Sequence, residues 1–431
     1  MILSIALAIA VQALPADSTV QRILKERLNA SPFRGIAVGL LDADGTRRVV
    51  AVGVAADRVF EIGSITKVFT GSVLAGMVAD GSVRLDDPVA KFLPASVRVP
   101  ARNGRQITLV DLATQSSGLP RLPGNMAPRD SSNPYADYTV AQMYAFLSSY
   151  ELPRDPGQTY EYSNLGVGLL GHALALKAGM SYEELVRRRI LSPLGMRETA
   201  ITLTPALRAR VAPGHDGEGH VVPNWDLPTL AGAGALRSTA QDMLTFLAAN
   251  LDSTSVFRQA QLSRHAAGSA SMTIGLGWHI LARPPPGGAS ITWHNGGTGG
   301  YRSFTGFDAA RRVGVVVLTN ANIGADDIGF HLLDGTMPLQ LPPKVRTAVA
   351  VDSSVLDRYV GEYELAPTFR IVVTREGAGL FIQATAQPKF PIYAESESEF
   401  FLKVVDAHIT FSSDRLILHQ NGQNLPGRKI R

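Results

Sequence analysis

A hydroxyl and an amine three residues apart, Ser64 and Lys67, form the first pair in this chain able to do covalent chemistry. They lie in Glu61-Ile62-Gly63-Ser64-Ile65-Thr66-Lys67, and no other lysine of the chain has a serine three positions before it. From Ser64 to Ala79 there is no proline and good helix formers prevail. Asp80-Gly81 follows, where glycine can take the left-handed conformation that ends a helix. The segment therefore reads as one helix of about four turns, with Ser64 and Lys67 on one face. Ile65, Val68, Phe69, Val73, Leu74, Met77 and Val78 surround it with apolar side chains, which predicts burial. Burial disfavours an ammonium, lowering the lysine pKa toward the range in which Lys67 can take a proton from Ser64. The competing reading is an exposed lysine on an ordinary core helix.

Tyr160-Glu161-Tyr162-Ser163-Asn164-Leu165-Gly166 follows the loop signal Pro153-Arg154-Asp155-Pro156-Gly157. A tyrosine and an asparagine one residue apart in a loop can aim both polar ends into one cleft. Positive charge nearby would stabilise a phenolate, so Tyr162 can relay a proton between Ser64 and a leaving group. Asn164 offers both a donor and an acceptor to a substrate amide or ester. Taken alone, the segment reads rather as a tyrosine packed at a helix start, with Ser163 or Asn164 as the N-cap.

The third segment is Ile291-Thr292-Trp293-His294-Asn295-Gly296-Gly297-Thr298-Gly299-Gly300. Thr292 and Trp293 read as strand, and the glycines allow close backbone approach to a ligand. An edge strand here would hydrogen-bond an extended substrate along its main chain, and N–H groups near Ser64 and Gly297 would form an oxyanion hole. A turn between two strands is the better reading of the glycines after Gly297. Alone, His294 reads as a structural histidine.

In this order the three segments resemble the serine β-lactamase and penicillin-binding protein superfamily, on the branch of class C β-lactamases, DD-peptidases and related esterases. That branch carries S-x-x-K, then Y-x-N, then K-T-G or H-x-G. Leu112-Ala113-Thr114-Gln115-Ser116-Ser117-Gly118-Leu119-Pro120, Leu191-Ser192-Pro193-Leu194-Gly195-Met196 and Ala233-Gly234-Ala235-Leu236-Arg237-Ser238-Thr239 are further likenesses, so the resemblance spans about residues 20 to 335. It implies an α/β fold of the β-lactamase/transpeptidase type, an antiparallel sheet flanked by helices plus a mostly helical region, with the site between them. It implies Ser64 as nucleophile, Lys67 and Tyr162 as the proton-handling pair, and Asn164, His294, Gly296 and Gly297 as substrate-binding positions, without metal or other cofactor. The expected activity is hydrolysis of a β-lactam or D-alanyl peptide through a Ser64 acyl-enzyme. A carboxylesterase acting on short acyl esters is the second reading, and a non-catalytic penicillin- or cell-wall-binding protein the third. Histidine replaces the lysine usual in class C enzymes, and a neutral imidazole anchors a substrate carboxylate less firmly than an ammonium. Arg302, a few residues on, is readable either as the missing charge or as a solvated surface arginine.

Composition agrees with a large enzyme: 431 residues with 45% hydrophobic content suffice for two or three domains. The net charge of +4, from 41 basic and 37 acidic residues, includes no basic block, which argues against a nucleic-acid partner. No membrane span is expected; the partner is a small-molecule or peptide substrate. There is no cysteine, hence no disulfide, thiolate metal site or lipidated cysteine. Residues 2 to 11 are almost wholly apolar, with small-residue cleavage sites at Val11-Gln12-Ala13 or Leu14-Pro15-Ala16. Residues 1–16 thus resemble an export signal, which predicts a periplasmic or secreted protein; a buried N-terminal segment of a cytoplasmic enzyme is the alternative.

Met337-Pro338-Leu339-Gln340-Leu341-Pro342-Pro343-Lys344 reads as a linker, separating a hydrolase domain over 17–340 from a second domain over 345–431. There, Phe369-Arg370-Ile371-Val372-Val373, Leu380-Phe381-Ile382-Gln383 and Ile409-Thr410-Phe411 alternate in the manner of a small all-β sheet or barrel. Tyr359-Val360-Gly361-Glu362-Tyr363 resembles the start of a lipocalin-like accessory domain. His215 and His220, in Pro213-Gly214-His215-Asp216-Gly217-Glu218-Gly219-His220, could suggest a metal, but spacing defines no third ligand and a solvated loop is expected. No G-x-S-x-G elbow occurs, which argues against an α/β-hydrolase fold.

Overall fold

The protein is described by a computed structural model covering residues 13–29, 34–283, 290–340, 346–366, 369–385, 387, 389–403, 407–420 and 423–431. Most of the apolar run at residues 2–11 that suggested an export signal therefore lies outside the described residues, as do residues 341–345 of the expected linker. The chain divides into two compact units, one up to Gln340 and one that includes everything described from residue 346 onward.

The first unit is organised by an eight-stranded antiparallel sheet. Among its elements, in chain order, are α1 (Asp17–Asn29), β1 (Ile36–Leu41), β2 (Arg47–Val52), α2 (Thr66–Ala79), α3 (Asn164–Ala178), α4 (Ala240–Leu251), β3 (His265–Ala267), β4 (Ser269–Ile274), β5 (His279–Leu281), β6 (Ile291–Gly297), β7 (Arg302–Asp308), β8 (Val313–Thr319) and α5 (Asp326–Leu333), with shorter helices between α2 and α4. The strands lie in the order β2-β1-β8-β7-β6-β5-β4-β3. β1 and β8 are apolar runs buried along their whole length, because both faces of the sheet centre are covered. Side chains alternate between the faces, so Ile36, Val38, Leu40, Val315 and Val317 join a core with Val20, Leu24, Ile328 and Leu332 of α1 and α5. Ala37, Leu41, Val316 and Leu318 join the other core, with Leu244 and Phe246 of α4 and most of α2.

α2 is buried on nearly all sides, as its apolar circumference predicts. Its start differs from the expectation: a 3-10 turn, Gly63–Ile65, carries the serine, and regular α-helix begins at Thr66. Residues three apart eclipse one another in a 3-10 turn, so the tighter winding keeps Ser64 over Lys67. The helix stops at Asp80, and Gly81 takes a φ of 76°. β6 is not an edge strand, since β5 and β7 pair with it on either side. However, β5 reaches only as far as Trp293, so Asn295 to Gly297 run past it while still paired to β7.

The second unit holds α6 (Ser353–Tyr359) and a closed barrel of β9 (Gly361–Ala366), β10 (Phe369–Glu376), β11 (Gly379–Ala384), β12 (Lys389–Ala394), β13 (Glu399–Phe401), β14 (Ala407–Phe411), β15 (Arg415–Gln420) and β16 (Gln423–Lys429). Pairing of Tyr363 with Lys429 and of Glu364 with Arg428 closes it. Alternate residues, among them Ile371, Val373, Leu380, Ile382, Ile409, Phe411, Leu416 and Leu418, fill its interior. Tyr359 is the last residue of α6, and its ring stacks on Phe411 inside this core.

Candidate active site

Ser64, Lys67, Tyr162, Asn164, His294, Gly296 and Gly297 converge beside the amino end of α2. Lys67 Nζ lies 2.9 Å from Ser64 Oγ, 2.8 Å from Asn164 Oδ1 and 2.7 Å from the carbonyl oxygen of Ala233. The lysine has no solvent exposure. Desolvation therefore drives its pKa well below the usual lysine range, and the positive charge of Arg121 pushes it the same way. A neutral amine has two hydrogens and one lone pair. The hydrogens match the two carbonyl-type oxygens, of Asn164 and Ala233, which can only accept. The lone pair is left for the hydroxyl of Ser64.

Asn164 is the first residue of α3, and the cap is Ser163, whose hydroxyl accepts the Gly166 N–H at 2.8 Å. The helix-start reading and the functional reading thus hold together: the cap fixes the chain, leaving the Asn164 side chain free to face the site. Asn164 Nδ2 donates to the Tyr135 hydroxyl at 3.1 Å, which orients Oδ1 toward the lysine.

Tyr162 is flanked by Lys67 Nζ, 4.8 Å from its ring centroid, and the Arg121 guanidinium, 5.1 Å away. A stabilised phenolate was expected here, and the structure corrects that. Burial raises the Tyr162 pKa more than its hydrogen bond with Ser64 and the charge of Arg121 lower it. Tyr162 accordingly keeps its proton.

His294 is fully buried, 6.2 Å from the Tyr162 ring and 5.0 Å from the His279 ring. Desolvation holds its pKa well below the usual histidine range, helped by His279 and Lys67. Nδ1 donates to the Asn295 carbonyl at 2.6 Å, so the neutral ring presents a bare Nε2 without a partner among the described residues. His279 is likewise held at about 4 by desolvation, its Nε2 2.9 Å from the Tyr160 hydroxyl.

The turn of Ser64 and the end of β6 are pressed together. Gly63 has a φ of 50°, and a Cβ there would stand 2.7 Å from the Gly297 nitrogen. A Cβ on Gly296 would collide with the Ile62 carbonyl oxygen, to which Ser303 Oγ also donates at 2.9 Å. Glycine at these places lets two backbones meet without intervening side chains.

Arg302 is not the solvated surface arginine weighed above. It folds back over Gly297 and donates through one nitrogen to the carbonyls of Thr298, at 2.9 Å, and Tyr301, at 3.0 Å. Burial lowers its pKa to about 10, and Asp326 opposes that. Asp326 in turn accepts from Asn295 Nδ2 and is raised to about 6, chiefly by desolvation.

Sequence reasoning missed Tyr135, Arg121, the Ala233 carbonyl, His279 and Asp326. Ala233 opens one of the quoted landmarks and Arg121 directly follows another, so a signal existed for these two. In the 213–220 loop, where spacing defined no third ligand, the ligand-type atoms of Asp216, Glu218 and His220 lie within 4.8 Å of one another, with Glu218 and His220 exposed. His215 is turned away, bonded through Nδ1 to the Asn320 carbonyl, and His220 is 71% exposed.

The β-lactamase family model matches residues 20–331, and a domain of unknown function (DUF3471) matches residues 345–417. The D-alanyl-D-alanine-carboxypeptidase/endopeptidase AmpH of Escherichia coli K12 is 32% identical over 313 residues, 66% of this chain and 79% of the relative. A β-lactamase/D-alanine carboxypeptidase structure from Yersinia pestis aligns with a TM-score of 0.65 at 25% identity, over 74% of this chain and 96% of that one. A class C β-lactamase structure from Rhodobacter sphaeroides aligns at 0.60 and 26%, over 71% and 94%. With the Ser64–Lys67 pair seated as described, these matches show that the chain belongs to the β-lactamase family and is a serine hydrolase of the β-lactamase and DD-peptidase group.

Proposed function

We propose that the protein hydrolyses an amide, in a D-alanyl peptide or a β-lactam, through an acyl-enzyme on Ser64, with Lys67 as the base. The observation that carries this is the donor count around Lys67, which leaves its lone pair on the Ser64 hydroxyl. Ser64 Oγ attacks the carbonyl carbon while its proton passes to Lys67 Nζ. The backbone N–H groups of Ser64 and Gly297 stabilise the oxyanion. Tyr162, protonated in the resting site, gives its proton to the leaving nitrogen and regains one from the Lys67 ammonium. Water then attacks the ester by the reverse route. Asn164 holds the lysine and presents its amide to the substrate. Similarity to relatives named as a carboxypeptidase/endopeptidase and as β-lactamases supports the substrate class.

A second reading, hydrolysis of short acyl esters, is favoured by one observation: the third-motif residue His294 is neutral and buried, so it selects no carboxylate. Periplasmic or secreted location is inferred from the apolar run at residues 2–11, which resembles an export signal. Among the described residues no helix is long and apolar enough to cross a membrane. Nitrocefin, an acyl-D-alanyl-D-alanine peptide and p-nitrophenyl butyrate, compared by stopped flow and mass spectrometry, test the proposal. Turnover of either of the first two with an adduct on Ser64 supports it; ester turnover alone transfers it to the second reading, and no turnover removes it.

A further inference from the structure

We propose that Arg121 is the group that receives the substrate carboxylate at the mouth of this site. The inference rests on the acyl-enzyme reading above and narrows it to acyl donors whose leaving-group side carries a carboxylate.

Such substrates need a cation near the proton donor to the leaving group, and the other basic groups of the site are committed. Lys67 is fully buried, and its three hydrogen-bonding positions are filled by Ser64, Asn164 and Ala233. His294 and His279 are buried and neutral. Arg302 spends one nitrogen on the Thr298 and Tyr301 carbonyls and faces the carboxylate of Asp326.

Arg121 differs in each respect. It is exposed, its guanidinium carbon stands 5.1 Å from the Tyr162 ring centroid, and among the described residues no carboxylate pairs with it. Its backbone is nevertheless fixed. The carbonyl oxygen accepts the N–H of Asn164 at 3.0 Å and of Leu165 at 3.3 Å, tying the residue to the start of α3. The cation is thus anchored to the element that carries Asn164, while its fork remains open to solvent over the tyrosine. A planar fork suits bidentate capture of a carboxylate.

The test compares N-acyl-D-alanyl-D-alanine with its C-terminal amide on the full chain, in the wild type and in Arg121→Gln, Arg121→Lys and Arg302→Gln. The acid-to-amide ratio of kcat/KM removes any common effect of Arg121 on Lys67. In Arg121→Gln this ratio is expected to fall about 10- to 100-fold, mainly through KM, the loss of one charge-assisted pair. Arg121→Lys should recover part of it, Arg302→Gln should retain it, and added salt should compress it in the wild type. Equal loss for both substrates in Arg121→Gln, an unchanged ratio, or a ratio that collapses in Arg302→Gln instead would overturn the proposal. A wild type acylated on Ser64 by the amide as readily as by the acid would sink this inference alone; a wild type acylated by neither would remove the reading beneath it as well.

Discussion

Lys67 Nζ stands 2.9 Å from Ser64 Oγ in a position closed to solvent, and this relationship makes the lysine a base rather than a charge. Desolvation sets the direction and the Arg121 charge adds to it. Ser64→Ala should abolish covalent labelling by a fluorescent penicillin or fluorophosphonate. Lys67→Ala should lower acylation by a factor on the order of 10⁴ or more, because members of such a unit fail together. The acylation rate should rise with pH as Lys67 loses its proton, along a limb well below the ordinary lysine pKa of 10.5. Removing Arg121 removes a positive charge that lowers this pKa, so in Arg121→Gln the limb should move to higher pH. A limb that stays in place or moves down would show that Arg121 does not act on the lysine.

Asn164 bridges Lys67 and Tyr135, which gives a prediction in which charge and shape separate. Asn164→Asp keeps the shape and places an anion against Nζ. An adjacent anion favours ammonium, so the variant should need a higher pH to acylate and should be poorly active near neutrality. Tyr135→Phe removes only the acceptor that orients the amide, worth about 1 kcal/mol, so a loss of roughly fivefold is expected. Pre-steady-state acylation across pH separates the two. If Asn164→Asp acylates at the wild-type pH optimum, the base is not Lys67.

Much of this site was legible because its parts are local. Ser64 and Lys67 are three residues apart, Tyr162 and Asn164 two apart, and the third motif is continuous, so spacing alone groups each set. The barrel strands were legible for a similar reason, since alternation in Phe369–Val373 or Ile409–Phe411 requires no partner to be seen. What stayed hidden depends on tertiary contact. Ala233 contributes a backbone carbonyl, which has no side-chain signature. Arg121, Tyr135 and Asp326 reach the site from loops and from α5, and only the fold brings them there. Arg302 stayed undecided because exposure cannot be read from a glycine-rich segment whose turn folds the side chain back over Gly297. The Tyr162 phenolate failed because burial outweighed the nearby charges, a balance that spacing does not reveal.

The contact between the Ser64 turn and the end of β6 has no room for a methyl group. In Gly296→Ala the new Cβ would meet the Ile62 carbonyl and Ser303 Oγ, neither at the far end of a flexible side chain. The strand must move away from the serine, taking the Gly297 N–H with it. Loss of one oxyanion donor costs about 10²- to 10³-fold in turnover. Gly63→Ala adds backbone strain at a φ of 50°, of about 1–3 kcal/mol, which denaturant unfolding should register. Near wild-type kcat in Gly296→Ala would exclude Gly297 from the oxyanion hole.

Asp326 provides a prediction about stability rather than turnover. Its carboxyl is raised from 3.8 to about 6, because desolvation exceeds the help from Asn295 and Arg302. Between these two values the folded protein holds a proton that the unfolded chain has released, so stability falls as pH rises through the window. Above about pH 6 the ionised, half-buried carboxylate is a net cost. Full conversion of the shift would give about 3 kcal/mol, and partial solvent screening brings the expectation to about 1–2 kcal/mol. Asp326→Asn keeps an acceptor for Asn295 without the charge, so it should be more stable than the wild type at pH 7 and approach it below about pH 4. Thermal melts of both proteins from pH 4 to 8 would show this. A stability difference that does not shrink on acidification would mean that packing, not ionisation, distinguishes the two side chains.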